Sequence, residues 1–224
     1  MTPVIKSEPL HIQAYNHIKH LILNNEFVPG EQLTEVKLAN KLGISRGPVR
    51  EAMRMLLQDG LVNQKGAYTY VLDLTVEDAI DLYLCRESLE SLAARLAAQN
   101  MSQDDQHQLE VILDQTKTAL GSNHMGEVVA LNTQFHDLIV RASGNEQLIQ
   151  LLKVISAKTV YLRNCILKHF TRSNDFIEEH ENIVHAILEQ NDDQVEGLMK
   201  QHIQNDLQAI CTFFEDKTTQ QKGE

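Results

Sequence analysis

Three arginines, four residues apart at the start of one predicted helix, constrain this chain more than any other feature. Residues 42–54 read Leu-Gly-Ile-Ser-Arg-Gly-Pro-Val-Arg-Glu-Ala-Met-Arg, and Arg46, Arg50 and Arg54 lie along one slowly drifting stripe of that helix. Like charges stacked in this way weaken an isolated helix by roughly 0.2–0.5 kcal/mol per pair. The stripe is favourable only beside an anionic partner, and DNA is the candidate.

The residues around this stretch predict a helix-turn-helix with a wing. A first helix over residues 10–25 is stopped by Pro29-Gly30, and a second begins at Thr34 and ends at Gly43. Ser45 is a favourable N-cap residue for the third helix. Two β-prone runs at 61–64 and 68–71 flank Lys65-Gly66 and indicate a hairpin. The alternative is a small structural three-helix module.

The net charge of −11 argues against nucleic-acid binding when it is taken over the whole chain. Residues 1–74 carry eight lysines and arginines against seven acids, a net charge of +1, whereas the remainder carries 12 against 24, a net charge of −12. The acid is thus confined to the second part. The first part can still approach phosphates, with a weak non-specific attraction.

The second part is predicted to be an all-α antiparallel bundle of about six helices, so the fold class is mainly α. Leucine-type residues recur at helical spacing after residue 75, and capping residues or acids precede each helix. We therefore expect a DNA-binding domain over 1–74, a helical domain over 75–218 and a polar tail over 219–224. The fourth bundle helix is predicted over 147–170 and the sixth over 192–215.

Compartment signals in the sequence indicate a cytoplasmic protein. The three cysteines are odd in number and widely spaced, which favours buried thiols in a reducing environment: Cys85, Cys165 and Cys211. No apolar run reaches about 18 residues, so neither secretion nor a membrane span is expected.

The recognition helix supplies the first set of candidate site residues. Arg46 and Arg50 stand near its N-terminal end, where side chains of such helices meet base edges or phosphates. Ser45 and the first backbone N–H groups could hold a phosphate. Lys65 at the wing tip would reach a flanking groove. The alternative is a set of ordinary surface arginines. The predicted DNA-binding residues are Ser45, Arg46, Gly47, Arg50, Lys65 and Gly66.

Four residues on three bundle helices form a second candidate site. Asn132 and His136 are four residues apart, so their side chains share one helix face, while His180 and His202 belong to the fifth and sixth bundle helices. Three imidazoles and one oxygen are suitable ligands for a divalent transition metal such as zinc. On spacing alone, solvated or hydrogen-bonded histidines are the alternative.

At this point the residues resemble a known family. Residues 38–52, Leu-Ala-Asn-Lys-Leu-Gly-Ile-Ser-Arg-Gly-Pro-Val-Arg-Glu-Ala, closely resemble the winged-helix signature of GntR-family bacterial transcription regulators. The second part is similar to the FCD ligand-binding domain of the FadR subfamily. Its marks are Arg86-Glu87-Ser88-Leu89-Glu90, Asn132-Thr133-Gln134-Phe135-His136, Ser143-Gly144-Asn145, Glu179-His180 and Lys200-Gln201-His202.

The resemblance implies a homodimer that binds a palindromic operator, usually as a repressor, and a small carboxylate effector in the bundle. Relatives often hold a divalent metal with an Asp and three His, which correspond here to Asn132, His136, His180 and His202. The neutral amide of Asn132 is a weaker ligand than a carboxylate. Arg86 matches an arginine near the effector pocket, or else it forms a structural ion pair with Glu90 or with another helix. The predicted effector-binding residues are therefore Arg86 and Asn132.

Two other classes of function remain open at the sequence level. A metal-dependent hydrolase would use the three-histidine centre to activate water. Against it, no general base or nucleophile is evident beside those histidines, and an enzyme needs no winged helix. An architectural or partner-binding helical protein would show no operator preference.

Overall fold

The chain divides into two units, Met1–Asp73 and Leu74–Glu224. The structure, a computed structural model, describes residues 8–166 and 175–221. Helices dominate it, with one small sheet in the first unit, so the predicted mainly α fold class is confirmed. No helix in the described ranges is both long enough and apolar enough to cross a bilayer.

The first unit has the predicted helix-turn-helix, closed by cap residues. Thr34 begins the second helix by accepting a hydrogen bond from the Lys37 N–H at 3.2 Å. Gly43 ends that helix with φ +66°, a left-handed conformation that favours glycine. The elements of this unit are α1 (Leu10–Leu23), β1 (Gln32–Leu33), α2 (Glu35–Leu42), α3 (Arg46–Gln58), β2 (Val62–Lys65) and β3 (Tyr68–Val71).

The wing has three antiparallel strands in the order β1-β3-β2, one more than the sequence predicted. The hairpin of β2 and β3 pairs Val62 with Val71 and Lys65 with Tyr68. The added strand β1 contains two residues and pairs Gln32 with Tyr70. Two residues are too few for an alternating pattern, which explains why sequence reasoning missed it.

The second unit is a helical bundle with α4 at its centre. Thr75 starts α4 with a capping box, since its hydroxyl accepts from the Asp78 N–H while the Asp78 carboxylate accepts from the Thr75 N–H. Buried alanines on α4 let α6, α7, α8 and α9 pack closely against it. The bundle helices are α4 (Val76–Asn100), α5 (Gln103–Gly121), α6 (Met125–Ala142), α7 (Glu146–Ile166), α8 (Asp175–Leu188) and α9 (Asp192–Gln221).

The end of α9 and the burial of the cysteines differ from the sequence prediction. Helix α9 extends to Gln221, beyond the predicted end near residue 215, so part of the predicted polar tail is helical. The predicted end of the fourth bundle helix at residue 170, and residues 222–224 of the tail, lie outside the described residues. The cysteines form no disulfide, but Cys85 is exposed and Cys165 and Cys211 are half-buried, so the prediction that all three are buried was wrong.

Candidate DNA interface and metal centre

Helix α3 presents its three arginines to solvent. The side chains of Arg46, Arg50 and Arg54 are 60%, 50% and 66% exposed, while the opposite face of the helix is buried through Val49, Ala52 and Leu56. The predicted amphipathic pattern is therefore present, with the arginine stripe available to a ligand. Ser45 is the N-cap of α3, but its side chain makes no capping hydrogen bond. Its hydroxyl is not needed to close the helix.

A carboxylate on α2 engages two of these arginines. Glu35 accepts from Nε and Nη2 of Arg50 at 2.7 and 2.9 Å and from Nη2 of Arg46 at 3.2 Å. These bonds lower the pKa of Glu35 to about 2, chiefly through Arg50; burial opposes the shift, and Arg46 adds to it. Arg54 pairs instead with Glu51 at 2.8 Å. Sequence reasoning missed Glu35 because α2 and α3 meet only in the folded unit.

The other predicted DNA-binding residues occupy two turns. Lys65 ends β2 at the exposed tip of the wing, with its Nζ 5.9 Å from the centre of the Tyr70 ring. Gly66 follows it with φ +61°, which makes the tight hairpin possible. Gly47 lies in the first turn of α3, and a Cβ added there would meet no atom within 4 Å beyond its chain neighbours and the backbone of the helix itself. The fold does not require glycine at position 47.

In the second unit, three buried histidines converge from three helices. The Nε2 atom of His202 on α9 lies 3.3 Å from Nε2 of His136 on α6 and 3.4 Å from Nε2 of His180 on α8. Their candidate ligand atoms all lie within 4.8 Å of one another. Phe135 stacks on the His180 ring with centroids 4.0 Å apart, which fixes that ring. The predicted grouping of His136, His180 and His202 is therefore present in the fold.

Carboxylates behind two of the rings determine which nitrogen carries the proton. Nδ1 of His202 lies 2.7 Å from Oε2 of Glu179, and Nδ1 of His136 lies 2.6 Å from Oε2 of Glu90, somewhat off the ideal hydrogen-bond direction. An ionised carboxylate only accepts, so we assign the protons to Nδ1 and the lone pairs to Nε2. Burial lowers the pKa of His136 to about 4 against the opposing pull of Glu90, so this ring is neutral at pH 7.

This arrangement fits a divalent metal. Two nitrogens that bind one zinc at about 2.0–2.1 Å in tetrahedral geometry lie roughly 3.3–3.4 Å apart, which matches the observed separations. Two Nε2 lone pairs facing each other at 3.3 Å form no hydrogen bond in the assigned tautomers, and a cation between them would satisfy both. Carboxylates that orient ligand histidines from behind are typical of metal sites.

A buried charge network adjoins the histidines. Arg86, only 1% exposed, donates from Nε and Nη2 to Glu90 at 2.5 and 3.2 Å, and its Nη1 lies 3.5 Å from Oδ2 of Asp206. Arg163 on α7 donates from Nη2 to the same Asp206 oxygen at 2.7 Å. Burial opposes ionisation of Glu90, but Arg86 and then His136 hold its pKa well below the usual range. The structural ion pair left open for Arg86 is therefore present.

Asn132 is half-buried on α6, one turn before His136. With its amide oxygen facing Arg163, it accepts from Nη1 at 3.0 Å and from Nη2 at 3.3 Å. The structure thus gives Asn132 a guanidinium partner, and its predicted part in metal and effector binding stays a prediction.

Several residues of this site were not found from the sequence. Arg86 and Glu90, whose ion pair was predicted as one alternative, are four residues apart on one helix. His202 and Asp206 have the same spacing, which could likewise have predicted Asp206. Arg163 carried no such signal, because its partners lie on other helices and 31 or more positions away. The missed residues are Arg163, Glu179 and Asp206.

Comparison with known proteins decides the family. A model described as "Bacterial regulatory proteins, gntR family" matches residues 10–69, and the FCD domain model matches residues 81–205. The chain is a GntR-family regulator with an FCD domain. The resemblance drawn from the two sets of motifs is confirmed.

Named relatives and solved structures agree with this membership. The regulator is 31% identical to the HTH-type transcriptional regulator YdhC of Bacillus subtilis, covering 94% of this chain and 95% of that one. It is 29% identical to the Nta operon transcriptional regulator of Aminobacter aminovorans, covering 89% and 94%. The solved structure of E. coli McbR/YncC superposes with a TM-score of 0.80 at 20% identity, covering 94% of this chain and all of that one, and shows the same fold.

These relatives are transcription regulators and not enzymes. This GntR-family protein is accordingly a bacterial transcription regulator, and the alternative of a metal-dependent hydrolase receives no support from the comparisons.

Proposed function

We propose that this regulator is a repressor that binds a palindromic operator as a homodimer in the cytoplasm and responds to a small organic acid. The observation that carries the effector part is the convergence of three histidine Nε2 atoms beside buried arginines in an FCD domain. One relative, RspR of E. coli, which is 24% identical over 93% of this chain, carries the name transcriptional repressor.

The operator would be read by α3. Arg46 and Arg50 are exposed at its N-terminal end, where bidentate pairing with guanine is possible. Ser45 and the first N–H groups of α3 would hold a phosphate, and Lys65 with Gly66 would approach a flanking groove. Two copies of the winged helix about one helical turn apart, roughly 34–36 Å, would match an inverted repeat.

The effector would bind in the bundle. Nη1 of Arg86 and the hydroxyl of Tyr83 are buried and donate no hydrogen bond within the ranges the structure describes, although Nη1 lies 3.5 Å from Oδ2 of Asp206. A carboxylate supplies acceptors, and buried donors without them are costly. His136, His180 and His202 would hold a divalent metal, which would supply positive charge for that carboxylate. Because Asn132 is neutral, it would leave this charge undiminished.

Effector binding would change operator affinity only through its preference for one bundle conformation. A ligand shifts a conformational equilibrium by its differential affinity and by no more. We expect the hinge near Thr75, where the two units join.

The test combines operator selection with a ligand screen. An operator would be selected from random duplex DNA, and its affinity measured by fluorescence anisotropy with organic acids, sugar acids and amino acids, with and without Zn²⁺. We expect one acid to lower operator affinity in a Zn²⁺-dependent manner. It should also stabilise the protein by about 2.7 kcal/mol at a hundredfold excess over Kd.

The His180→Ala variant serves as the control, because it should keep operator binding and lose the response to the acid. Selection that yields no preferred sequence would contradict the proposed operator. An acid response that is identical without Zn²⁺ and in His180→Ala would contradict the metal-dependent effector site.

A further inference from the structure

One buried carboxylate lies close to the three histidines and has no part in the family pattern. Asp206 stands one turn after His202 on α9, and it is 3% exposed. Its Oδ2 lies 3.9 Å from Nε2 of His202, the nitrogen that faces the other two histidines. The spacing His202-x₃-Asp206 on α9 repeats, in reverse order, the spacing Asn132-x₃-His136 on α6.

The separation between Asp206 and His202 is compatible with binding to one metal ion. Ligand atoms about 2.0–2.2 Å from the same zinc are at most roughly 4.3 Å apart. The observed 3.9 Å to His202 lies within this limit. Asp206 is not among the residues whose ligand atoms all lie within 4.8 Å of one another, so its side chain would have to turn towards His136 and His180 to complete the site. A carboxylate is also a stronger ligand for such a cation than the amide oxygen of Asn132.

Arg163 connects the two candidate oxygen ligands. It donates to Oδ2 of Asp206 at 2.7 Å and, when the Asn132 amide is assigned with its oxygen towards Arg163, to that oxygen at 3.0 and 3.3 Å. The neighbouring guanidinium of Arg86 lies 3.5 Å from the same carboxylate oxygen. Because a carboxylate offers about four lone-pair sites, pairing with arginine is compatible with binding a metal.

We propose that Asp206 supplies the carboxylate ligand that Asn132 cannot, so that the metal centre comprises His136, His180, His202 and Asp206. This inference rests on the metal site of the proposed function. The carboxylate ligand would thus come from α9 instead of α6, and Arg163, which contacts both Asn132 and Asp206, would orient it. The competing role for Asp206 is that of a counter-ion for the two buried arginines, with no bond to the metal.

The first experiment measures Zn²⁺ affinity of the full chain by competition with a chelator. Asp206→Asn should weaken binding at least tenfold, because it removes a ligand and a negative charge, while Asn132→Asp should strengthen binding. The matched control is Asp193→Asn on the same helix, whose carboxylate is 85% exposed and pairs with Arg95; it should leave the affinity unchanged. A loss of less than tenfold in Asp206→Asn would overturn the proposal.

The second experiment separates a ligand from a counter-ion, since loss of charge alone would also weaken binding. Asp206→Cys places a thiol at the same position, and a thiolate bound to Co²⁺ produces an intense near-ultraviolet charge-transfer absorption. We expect this absorption in the Co²⁺-loaded Asp206→Cys variant and its absence from the wild type, which already contains Cys165 and Cys211. A Co²⁺-loaded variant without this absorption would overturn the proposal, including where Asp206→Asn does not fold.

These outcomes are distinguishable from failure of the proposed function. If the wild type binds Zn²⁺ but either folded Asp206 variant departs from its expected result, the role of Asp206 is wrong and the three-histidine site stands. If the wild type binds neither Zn²⁺ nor Co²⁺, both the metal site and the inference built on it are wrong.

Discussion

At the scale of single residues, Glu35 connects the two arginines that are predicted to read DNA. Its carboxylate accepts three hydrogen bonds from Arg50 and Arg46, which fixes the planes of both guanidinium groups before any DNA arrives. An arginine that is already ordered loses less side-chain entropy when it binds a base. Glu35 thereby helps to prepare the binding surface although its charge has the same sign as DNA.

The pairing predicts that Glu35 stays ionised at unusually low pH. Its pKa in the folded protein is about 2, below the ordinary 4.5, so the pair contributes to stability above pH 4.5 and loses this contribution as the pH falls towards 2. A carbon-13 NMR titration should find the Glu35 carboxyl still ionised at pH 4. Arg50→Ala should raise its midpoint and Arg54→Ala should not, since Arg54 pairs with Glu51. A wild-type midpoint near 4.5 would disprove this account.

Replacing the reading arginines should weaken operator binding. Arg46→Ala and Arg50→Ala each remove a potential bidentate contact to a base, and we expect losses on the order of tenfold to a hundredfold in anisotropy measurements on the selected operator. Arg54→Ala is the matched control, because Arg54 lies a full turn further from the N-terminal end of α3 and its loss should reduce operator affinity less. Unchanged affinity in both test variants would show that α3 is not the recognition helix.

The glycine at position 47 should be replaceable at little cost in stability. Beyond its two chain neighbours a Cβ there meets nothing within 4 Å, and glycine inside a helix is less stable than alanine, but Pro48 follows and disfavours the α conformation for a residue that has a Cβ. Because these effects oppose each other, we expect Gly47→Ala to change the free energy of unfolding by less than about 0.5 kcal/mol in urea titrations. Gly43→Ala provides the contrast, since φ +66° at Gly43 makes a side chain unfavourable and the variant should be less stable. Equal effects of the two substitutions would count against this argument.

At the scale of elements, the N-cap residues Thr75 and Ser45 differ in role. Thr75 stabilises the start of its helix, whereas Ser45 is proposed to contact DNA. Thr75 closes α4 with a complete capping box, whereas the Ser45 side chain makes no capping bond to α3. Thr75→Ala should therefore lower the free energy of unfolding by about 1 kcal/mol in urea titrations. Ser45→Ala should change stability little and should weaken operator binding if the hydroxyl holds a phosphate. A larger loss of stability in Ser45→Ala than in Thr75→Ala would contradict this division.

Elements bounded by strong local signals were predictable. Thr34, Gly43, Ser45 and Thr75 begin or end helices as their chemistry suggests, and Gly66 marks the hairpin turn. The three histidines could be grouped because each carries ligand chemistry and the family resemblance orders them. These features depend on a few neighbouring residues, or on residue types with few alternative uses.

Features that depend on packing between helices were not predictable. Arg163 on α7 meets Asp206 on α9, 43 positions along the chain, only in the folded bundle, and nothing in the local pattern distinguishes Arg163 from a surface arginine. The two-residue strand β1 exists only through its pairing with β3. Helix α9 continues to Gln221, past its predicted end near residue 215. The change to polar residues there was wrongly taken as the end of the helix.

At the scale of the whole molecule, charge is divided between the two parts of the chain. Residues 1–74 carry a net charge of +1 and the remainder −12. So small a positive charge gives weak non-specific attraction to DNA, and the acidic second part adds none. Tight binding would therefore depend on base contacts by α3 and on the simultaneous use of two half-sites.

Two half-sites impose a strict spacing, which gives a prediction for the assembled protein. The protein should sediment at about twice the 25.4 kDa mass of one chain and should protect an inverted repeat. Inserting five base pairs between the half-sites turns one of them by about half a helical turn, since B-DNA repeats every 10–10.5 base pairs. One α3 helix then faces away from its half-site, and affinity should fall to that of a single half-site. Changing five base pairs between the half-sites without altering their spacing is the control. Affinity that is insensitive to the insertion would mean that the two winged helices bind independently.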